Sequence, residues 1–469
     1  MTQALRPTPE QSGSAANGAG ADRESVIAIV ADNSDAFAVR ALAAREATRT
    51  LDMMYYIWHD DHCGNLLVKE VVAAADRGVK VRLLIDDMNP QVNDANYLQV
   101  DGHPNIELKL FNPSGCRDRG LFRGLEIVAR LTAMTRRMHC KAWIADSRLA
   151  IVGGRNIGDE YFDAAETNFR DIDLVMTGPV ARQACSVFER YWTYGGSVAI
   201  GALNPARRRG KLQRRNRSDL DIEQALGPSR TMAEFMADRR SLRIADTARL
   251  IADPPEKIED RHRENWLLEQ IRPLIQASSD RVEIISPYFV PGKLGTQALT
   301  ELVDRGVSAT VVTNSLAATD VAVVHGGYAN YRRRLLRSGV KLFEFQRAAE
   351  GGKMSVLGSK GASLHTKSFT VDDRFGFVGS FNFDPRSVSL NTEMGVVFEC
   401  GELVRELREL FVAETSPQRS YRVSLDNGRL RWDGEDEDGP QSYSSEPRAS
   451  LRRRLVAFVM RWLPIESQL

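Results

Sequence analysis

A histidine and a lysine separated by one residue project from the same side of an extended chain, so an imidazole and an ammonium meet whatever lies above that strand. That pairing occurs twice here, in the same surroundings. His139-Cys-Lys141 is followed by four residues, Asp146, six residues and Gly153-Gly-Arg-Asn156. His365-Thr-Lys367 is followed by four residues, Asp372, six residues and Gly379-Ser-Phe-Asn382, each shared position displaced by 226 residues. One short motif carries little weight. Two copies that agree at five positions are hard to attribute to chance. The chemistry such a set serves is attack on a phosphodiester. An imidazole attacks or donates a proton, the ammonium stabilises the nonbridging oxygens, and the amides of Asn156 and Asn382 add donors. With two copies, one histidine can carry a covalent phosphoryl group. The other protonates the leaving oxygen and then deprotonates the incoming one.

Each histidine also needs a carboxylate on its second ring nitrogen to fix tautomer and orientation. Asp171 opens the strand-like run Asp171–Met176, and Glu393 opens Glu393–Glu399. These are the expected orienting groups. Asp146 and Asp372 are expected to end strands and hold loops, and Gly153, Gly154, Gly379 and Ser380 to complete the motif turns. No His/Cys/carboxylate cluster stands at ligand spacing, so the expected chemistry needs no metal. There is no GxxxxGK[ST] phosphate loop.

The elements that must position these residues repeat as well. Ala75-Asp-Arg-Gly-Val-Lys-Val81 has a counterpart in Val303-Asp-Arg-Gly-Val-Ser-Ala309, displaced by 228. The apolar run Leu51–Ile57, a helical pattern through Leu66, Val71 and Ala75, and the strand-like Val79–Ile85 are matched by Val282–Ser286, Leu294–Val303 and Val307–Thr313. Gly78 and Gly306 sit where a helix stops and a strand begins. Strand–helix–strand order with buried strands predicts an α/β fold with a parallel or mixed sheet covered by helices, here duplicated. The predicted divisions are a tail over 1–22, a first repeat over 23–200, a basic linker or insertion over 201–255, a second repeat over 256–420 and a C-terminal extension over 421–469.

Composition agrees with a globular enzyme. Of 469 residues 43% are hydrophobic and 27% charged, with a net charge of +1. That excludes whole-chain disorder and a globally basic nucleic-acid coat. No apolar run approaches the ~20 residues of a membrane span, and the first 22 residues lack a secretory signal pattern. Five cysteines form no CxxC pair, which fits a reducing compartment. Two basic segments stand out. Arg207–Arg217 is a solvated charge run or an anionic-surface contact. In Arg448–Leu463, Leu451, Leu455, Phe458, Val459 and Trp462 share one helical face while the arginines lie mainly outside it. That is the pattern of a helix in a membrane interface, or of one packing on the protein's own core.

The paired HxKx4Dx6G[GS]xN pattern resembles that of the phospholipase D superfamily over roughly residues 25–420. The surrounding text is more specific. GGRNIGDEYFD (Gly153–Asp163), GSFNFDPRSVSLNTEMG (Gly379–Gly395), TNSLAATD (Thr313–Asp320), VHGGYANYR (Val324–Arg332) and LPIESQL are similar to bacterial cardiolipin synthases, most of all the C-type subgroup. The resemblance implies two tandem phospholipase D-like repeats, each a mixed sheet flanked by helices, with one active site at their pseudo-twofold interface. It implies transfer of a phosphatidyl group onto phosphatidylglycerol, with phosphatidylethanolamine or a second phosphatidylglycerol as donor, through a phosphohistidine and with no cofactor. By that analogy His139 is the nucleophile and His365 the general acid/base. His325, Tyr328 and Arg332 are candidates for a headgroup pocket, although a helix that simply packs accounts for them equally well. Gly154 departs from the serine many relatives carry. If that hydroxyl binds phosphate, the first half lacks a donor that Ser380 retains in the second. The implied setting is peripheral, on the cytoplasmic side of the inner membrane against an anionic lipid surface, without a spanning helix and without nucleic acid. A hydrolase of phospholipids is the alternative, and a nucleic-acid phosphodiesterase a more distant one. A non-catalytic lipid-binding adaptor would require a broken motif.

Overall fold

The structure, a computed structural model, describes residues 24–88, 94–114, 135–203, 231–237, 242–245, 247–347 and 362–461. The Arg207–Arg217 cluster, the 1–22 tail and the Trp462–Leu463 end of the basic segment lie outside them. The first half contributes β1 (Ser25–Val30), β2 (Thr50–Tyr55), β3 (Lys80–Asp86), β4 (Ile106–Phe111), β5 (Ala142–Ala145), β6 (Leu149–Gly153), β7 (Asn168–Arg170), β8 (Asp173–Thr177), β9 (Ser197–Ala199) and β10 (Arg243–Ala245). The second contributes β11 (Thr247–Ala252), β12 (Arg281–Ile285), β13 (Ser308–Asn314), β14 (Lys341–Phe345), β15 (Ala362–Leu364), β16 (Ser368–Val371), β17 (Phe375–Gly379), β18 (Met394–Glu399), β19 (Ser420–Asp426), β20 (Arg429–Asp436) and β21 (Gly439–Tyr443).

Two mixed sheets result. One runs β10-β1-β8-β6-β5-β2-β3-β4-β9 and the other β11-β18-β17-β16-β12-β13-β14-β19-β20-β21. The parallel trio β2-β3-β4 is repeated as β12-β13-β14, with Leu51 opposite Val81 and Val282 opposite Ala309. Between the first two strands of each trio runs a helix, α1 (His62–Asp76) in the first half and α2 (Gly292–Asp304) in the second. Gly78 (φ 97°) and Gly306 (φ 89°) then reverse the chain into the next strand, in a left-handed conformation that side chains with a Cβ adopt poorly. The strands read as unbroken apolar runs because both sheet faces are covered. Met53 and Leu83 face one core while their neighbours Met54 and Leu84 face another.

That second core joins the halves. It gathers Met54, Ile144 and Val152 from one sheet with Val378, Val396 and Phe398 from the other. Between them pack Phe188 and Tyr191 of α3 (Pro179–Thr193) and Leu403 and Leu407 of α4 (Gly401–Glu414). The consecutive strands β10 and β11 belong to opposite sheets, β10 pairing with β1 and β11 with β18. Beyond residue 420, β19 to β21 widen the second sheet past β14.

Candidate active site

The approach to each histidine is zipped to the opposite half. β15 runs parallel to β7, and the His365 N–H donates to the Arg170 carbonyl at 2.9 Å. Met138 forms the corresponding bridge with Thr392. The His139 N–H donates to the Thr392 carbonyl, and the Thr392 N–H to the Arg137 carbonyl, both at 2.9 Å. The residues next in line are Asp171 and Glu393. Backbone pairing therefore sets the orienting carboxylates crosswise, an assignment that spacing along the chain leaves open. His139 Nδ1 lies 2.8 Å from Glu393 Oε2, and His365 Nδ1 2.5 Å from Asp171 Oδ2. Lys367 Nζ is also 3.0 Å from His365 Nδ1. A ring nitrogen that donates to a carboxylate at 2.5 Å cannot accept from an ammonium, so Lys367 is a neighbouring charge here. In both rings Nε2 remains for chemistry.

All eight motif and carboxylate side chains are buried. Burial pushes His139 down to about 4 and also lowers His365. Glu393 and Asp171 oppose that effect, and the lysines reinforce it, the one in the same motif more than the one in the other half. His139 is therefore neutral at rest, and the two imidazoles share one electrostatic site. Burial lowers Lys141 to about 7 and Lys367 to about 8. Burial would raise Glu393 and Asp171, yet their histidine and lysine neighbours hold both below the ordinary carboxylate range. Each ammonium also donates to the carbonyl of its own motif histidine. The rings are wedged by aromatics, Tyr56 against His139 and Tyr161 and Phe169 against His365.

The carboxylates are held differently in the two halves. Ser380 Oγ donates to Glu393 Oε2 at 2.5 Å and Ser387 Oγ to Oε1 at 2.8 Å, while the Glu393 N–H donates to buried Asp253. The Ser380 hydroxyl is thus committed to Glu393 and not to a phosphate. Across the pseudo-twofold, a Cβ on Gly154 would lie 2.4 Å from Asp171 Oδ1, so the shorter carboxylate occupies the space a serine would need. Arg155, fully buried, donates to the Asp171 carbonyl and to Asp173 Oδ2. A further pair recurs at an offset of 228. Asp86 accepts from the Met138 N–H at 2.8 Å and Asn314 from the Leu364 N–H at 3.0 Å, each just before a motif histidine. Burial pushes Asp86 up to about 7. Sequence reasoning missed Asp253, Ser387 and Arg155, which carry no spacing signal. The 86/314 pair could have been found by extending the repeat offset.

Asp146 and Asp372 lie at hairpin turns, each followed by a second residue of positive φ. Asp146 accepts from the N–H groups of Thr48, Arg49 and Thr50, and Asp372 from those of Ser279, Asp280 and Arg281. Both thereby tie a hairpin turn to the start of the adjacent antiparallel strand, β2 or β12. Gly153 and Gly379 are points of close strand approach, where a Cβ would meet Asp173 Oδ1 at 2.1 Å or the Met394 carbonyl at 2.4 Å. Asn156 donates to the Tyr161 hydroxyl at 2.8 Å, whereas Asn382 Oδ1 is buried without a partner among the described residues.

His325, Tyr328 and Arg332 lie on α5 (Ala322–Arg337), all buried. Arg332 forks between Glu344 at 2.8 Å and Glu446 at 2.5 Å, with the Tyr328 ring beneath it. A small, narrow pocket opens beside His325 and Tyr328, lined also by Thr313, Asn314 and Thr319. His325, Glu344 and Glu446 are the described trio whose donor atoms could surround an ion. Arg332 already balances the two carboxylates, so the trio does not fit a cation.

Two similar halves that complete each other's histidines define a phosphodiester-handling enzyme of phospholipase D type. Comparison with known proteins narrows this. The family described as "Cardiolipin synthase, PLD-like domain" matches residues 43–192 and 271–414. Cardiolipin synthase C of Escherichia coli (strain K12) is 38% identical over 92% of this chain and 93% of its own. Cardiolipin synthase B of Shigella flexneri is 26% identical over 78% and 75%. The crystal structure of a phosphatidylserine synthase from Haemophilus influenzae Rd KW20 shares the fold at a TM-score of 0.63 and 12% identity, covering 96% of this chain and 98% of that one. The chain belongs to the cardiolipin synthase family of the phospholipase D superfamily, a family of phosphatidyltransferases.

Proposed function

We propose that the protein makes cardiolipin by moving a phosphatidyl group onto phosphatidylglycerol, with phosphatidylethanolamine or a second phosphatidylglycerol as donor. The observation that carries the reading is the crosswise pair, His139 with Glu393 and His365 with Asp171, complete in both halves. His139 Nε2 attacks phosphorus, and the bond from phosphorus to the headgroup oxygen breaks as His365, protonated, gives that oxygen its proton. The hydroxyl of phosphatidylglycerol then passes its proton to His365 and attacks phosphorus. The P–N bond breaks and both histidines return to their starting states. The neutral resting state of His139 suits the nucleophile. The shorter bond to Asp171 suits the ring that must hold an extra proton, and the bound phosphodiester anion adds to its proton affinity. Lys141, Lys367 and the two asparagines stabilise the phosphoryl oxygens. The setting we propose is the membrane surface, peripherally; among the described residues no helix is long and apolar enough to cross a membrane.

The test is to incubate the full chain with vesicles of labelled phosphatidylglycerol, with and without phosphatidylethanolamine, and to resolve lipids and released headgroups by mass spectrometry. Labelled cardiolipin is expected, with free ethanolamine or glycerol marking the donor. Formation of phosphatidic acid alone would assign hydrolysis instead.

A further inference from the structure

The helix α6 (Leu451–Met460) is amphipathic the wrong way round for a helix that packs on its own protein. Of nine large apolar residues exposed among the described residues, four lie on it: Leu451 at 84%, Leu455 at 63%, Phe458 at 56% and Val459 at 45%. The face turned inward is narrow, with Ala457 and Met460 against α5 and arginines fastening its edges. Arg453 donates to the carbonyls of Leu316 and Thr319, Arg454 to that of Glu446, and Arg461, just past the helix, to Asn330 Oδ1. Ala457 is buried against α5, where a Cβ on Gly326 would come within 2.8 Å of the Ala457 carbonyl. Arginines thus fasten the helix to the protein while its apolar stripe faces outward. The helix carries no acidic residue, and Arg452 is exposed at its start.

We infer that this stripe docks the enzyme on a lipid bilayer that carries anionic headgroups, lying in the interface with Leu451, Leu455, Phe458 and Val459 toward the acyl chains. An outward apolar stripe on a helix without acidic groups is complementary to such a surface, with hydrophobic insertion supplying depth and arginine supplying charge. The inference rests on the reading that the substrates are bilayer lipids, which an enzyme without a spanning helix in its described residues must reach by docking. The seat is close to the chemistry. His325 of α5 lies 3.3 Å from the Asn314 carbonyl, and the Asn314 side chain bonds both the N–H and the carbonyl of Leu364, next to His365.

The experiment is flotation of the full chain with vesicles of phosphatidylglycerol and phosphatidylethanolamine, wild type against the Leu451→Glu/Leu455→Glu double variant. Both sites are exposed, and an acidic residue in the first helical turn favours the helix, so the variant should fold; circular dichroism verifies this. Wild type is expected to co-float, less so in high salt. The variant should lose at least ~10-fold in partition, because two buried leucines are exchanged for charges. Its activity on soluble short-chain phosphatidylglycerol should be unchanged. Vesicle binding by the variant equal to that of wild type, or no binding by either, would overturn the inference. A wild-type dimer in lipid-free buffer that the variant converts to monomer would also overturn it, assigning the stripe to a second copy. The expected binding without any cardiolipin formed would support the docking surface and sink the transferase reading instead.

Discussion

Gly154 and Asp171 form one unit, as do Ser380 and Glu393, and the two units are not interchangeable. A methyl group at 154 would press on a carboxylate fixed by His365 at 2.5 Å and by the Ile172 N–H. Gly154→Ala is therefore expected to lower kcat by roughly 10–100-fold with little change in thermal stability, since small misplacement of a catalytic group costs that much. Steady-state kinetics beside a melting curve would check it, and an unchanged kcat would show that Asp171 adapts. The shifted acidities predict the pH profile. In the proposed mechanism His139 must be neutral to attack, so kcat/KM falls as pH drops through about 4. His365 must be protonated in that mechanism, and burial weakens its hold on that proton, so the rate falls again on the alkaline side. It falls further above about 7 to 8 as Lys141 and Lys367 lose the charge that would stabilise the phosphoryl oxygens. A bell with its plateau between these limbs is expected. A rate still rising at pH 9 would remove the lysines from that role.

At the scale of the element, the same turn solves the same problem in both sheets. Asp372 accepts from three successive N–H groups at the mouth of β12, and these bonds outweigh burial to bring it down to about 2. Its carboxylate therefore stabilises the fold above the ordinary aspartate value of 3.8, and that contribution is lost as pH falls through about 2. Asp372→Ala should cost about 1–2 kcal/mol in denaturant unfolding at neutral pH while the folded fraction keeps its turnover number. A variant as stable as wild type would mean that water replaces the three bonds. These elements were legible in the sequence because repeats, glycine stops and apolar runs are local. Gly78 and Gly306 could be read directly, whereas the two His-x-Lys segments, read as strands, lie just before β5 and between β15 and β16. The carboxylate partnership could not be read. Asp171 and Glu393 are visible as candidates, but which ring each serves is decided by β7 meeting β15 and by Met138 meeting Thr392. Those contacts span about half the chain and leave no periodic trace. Ser387 and Asp253 stayed hidden because they matter only through Glu393.

At the scale of the molecule, the crosswise arrangement predicts crosswise effects. Glu393 raises the proton affinity of His139 from the other half, so Glu393→Gln should lower the His139 pKa further and leave His365 nearly unmoved. Asp171→Asn should do the converse. Histidine ring resonances followed by NMR across pH would separate the two. A shift at the histidine of the same half would contradict the pairing.

The exchange of Asp171 and Glu393 across the pseudo-twofold also bears on descent. A half-length forebear of this chain would have held a histidine with no carboxylate of its own, and two copies facing each other would have been its smallest working form. Fusion made that partnership permanent without making either copy self-sufficient. Neither half was then at liberty to diverge alone, because a change near one carboxylate is felt at the other half's ring. The contrast between Gly154 with Asp171 and Ser380 with Glu393 shows that the two halves differ in detail while keeping the exchange.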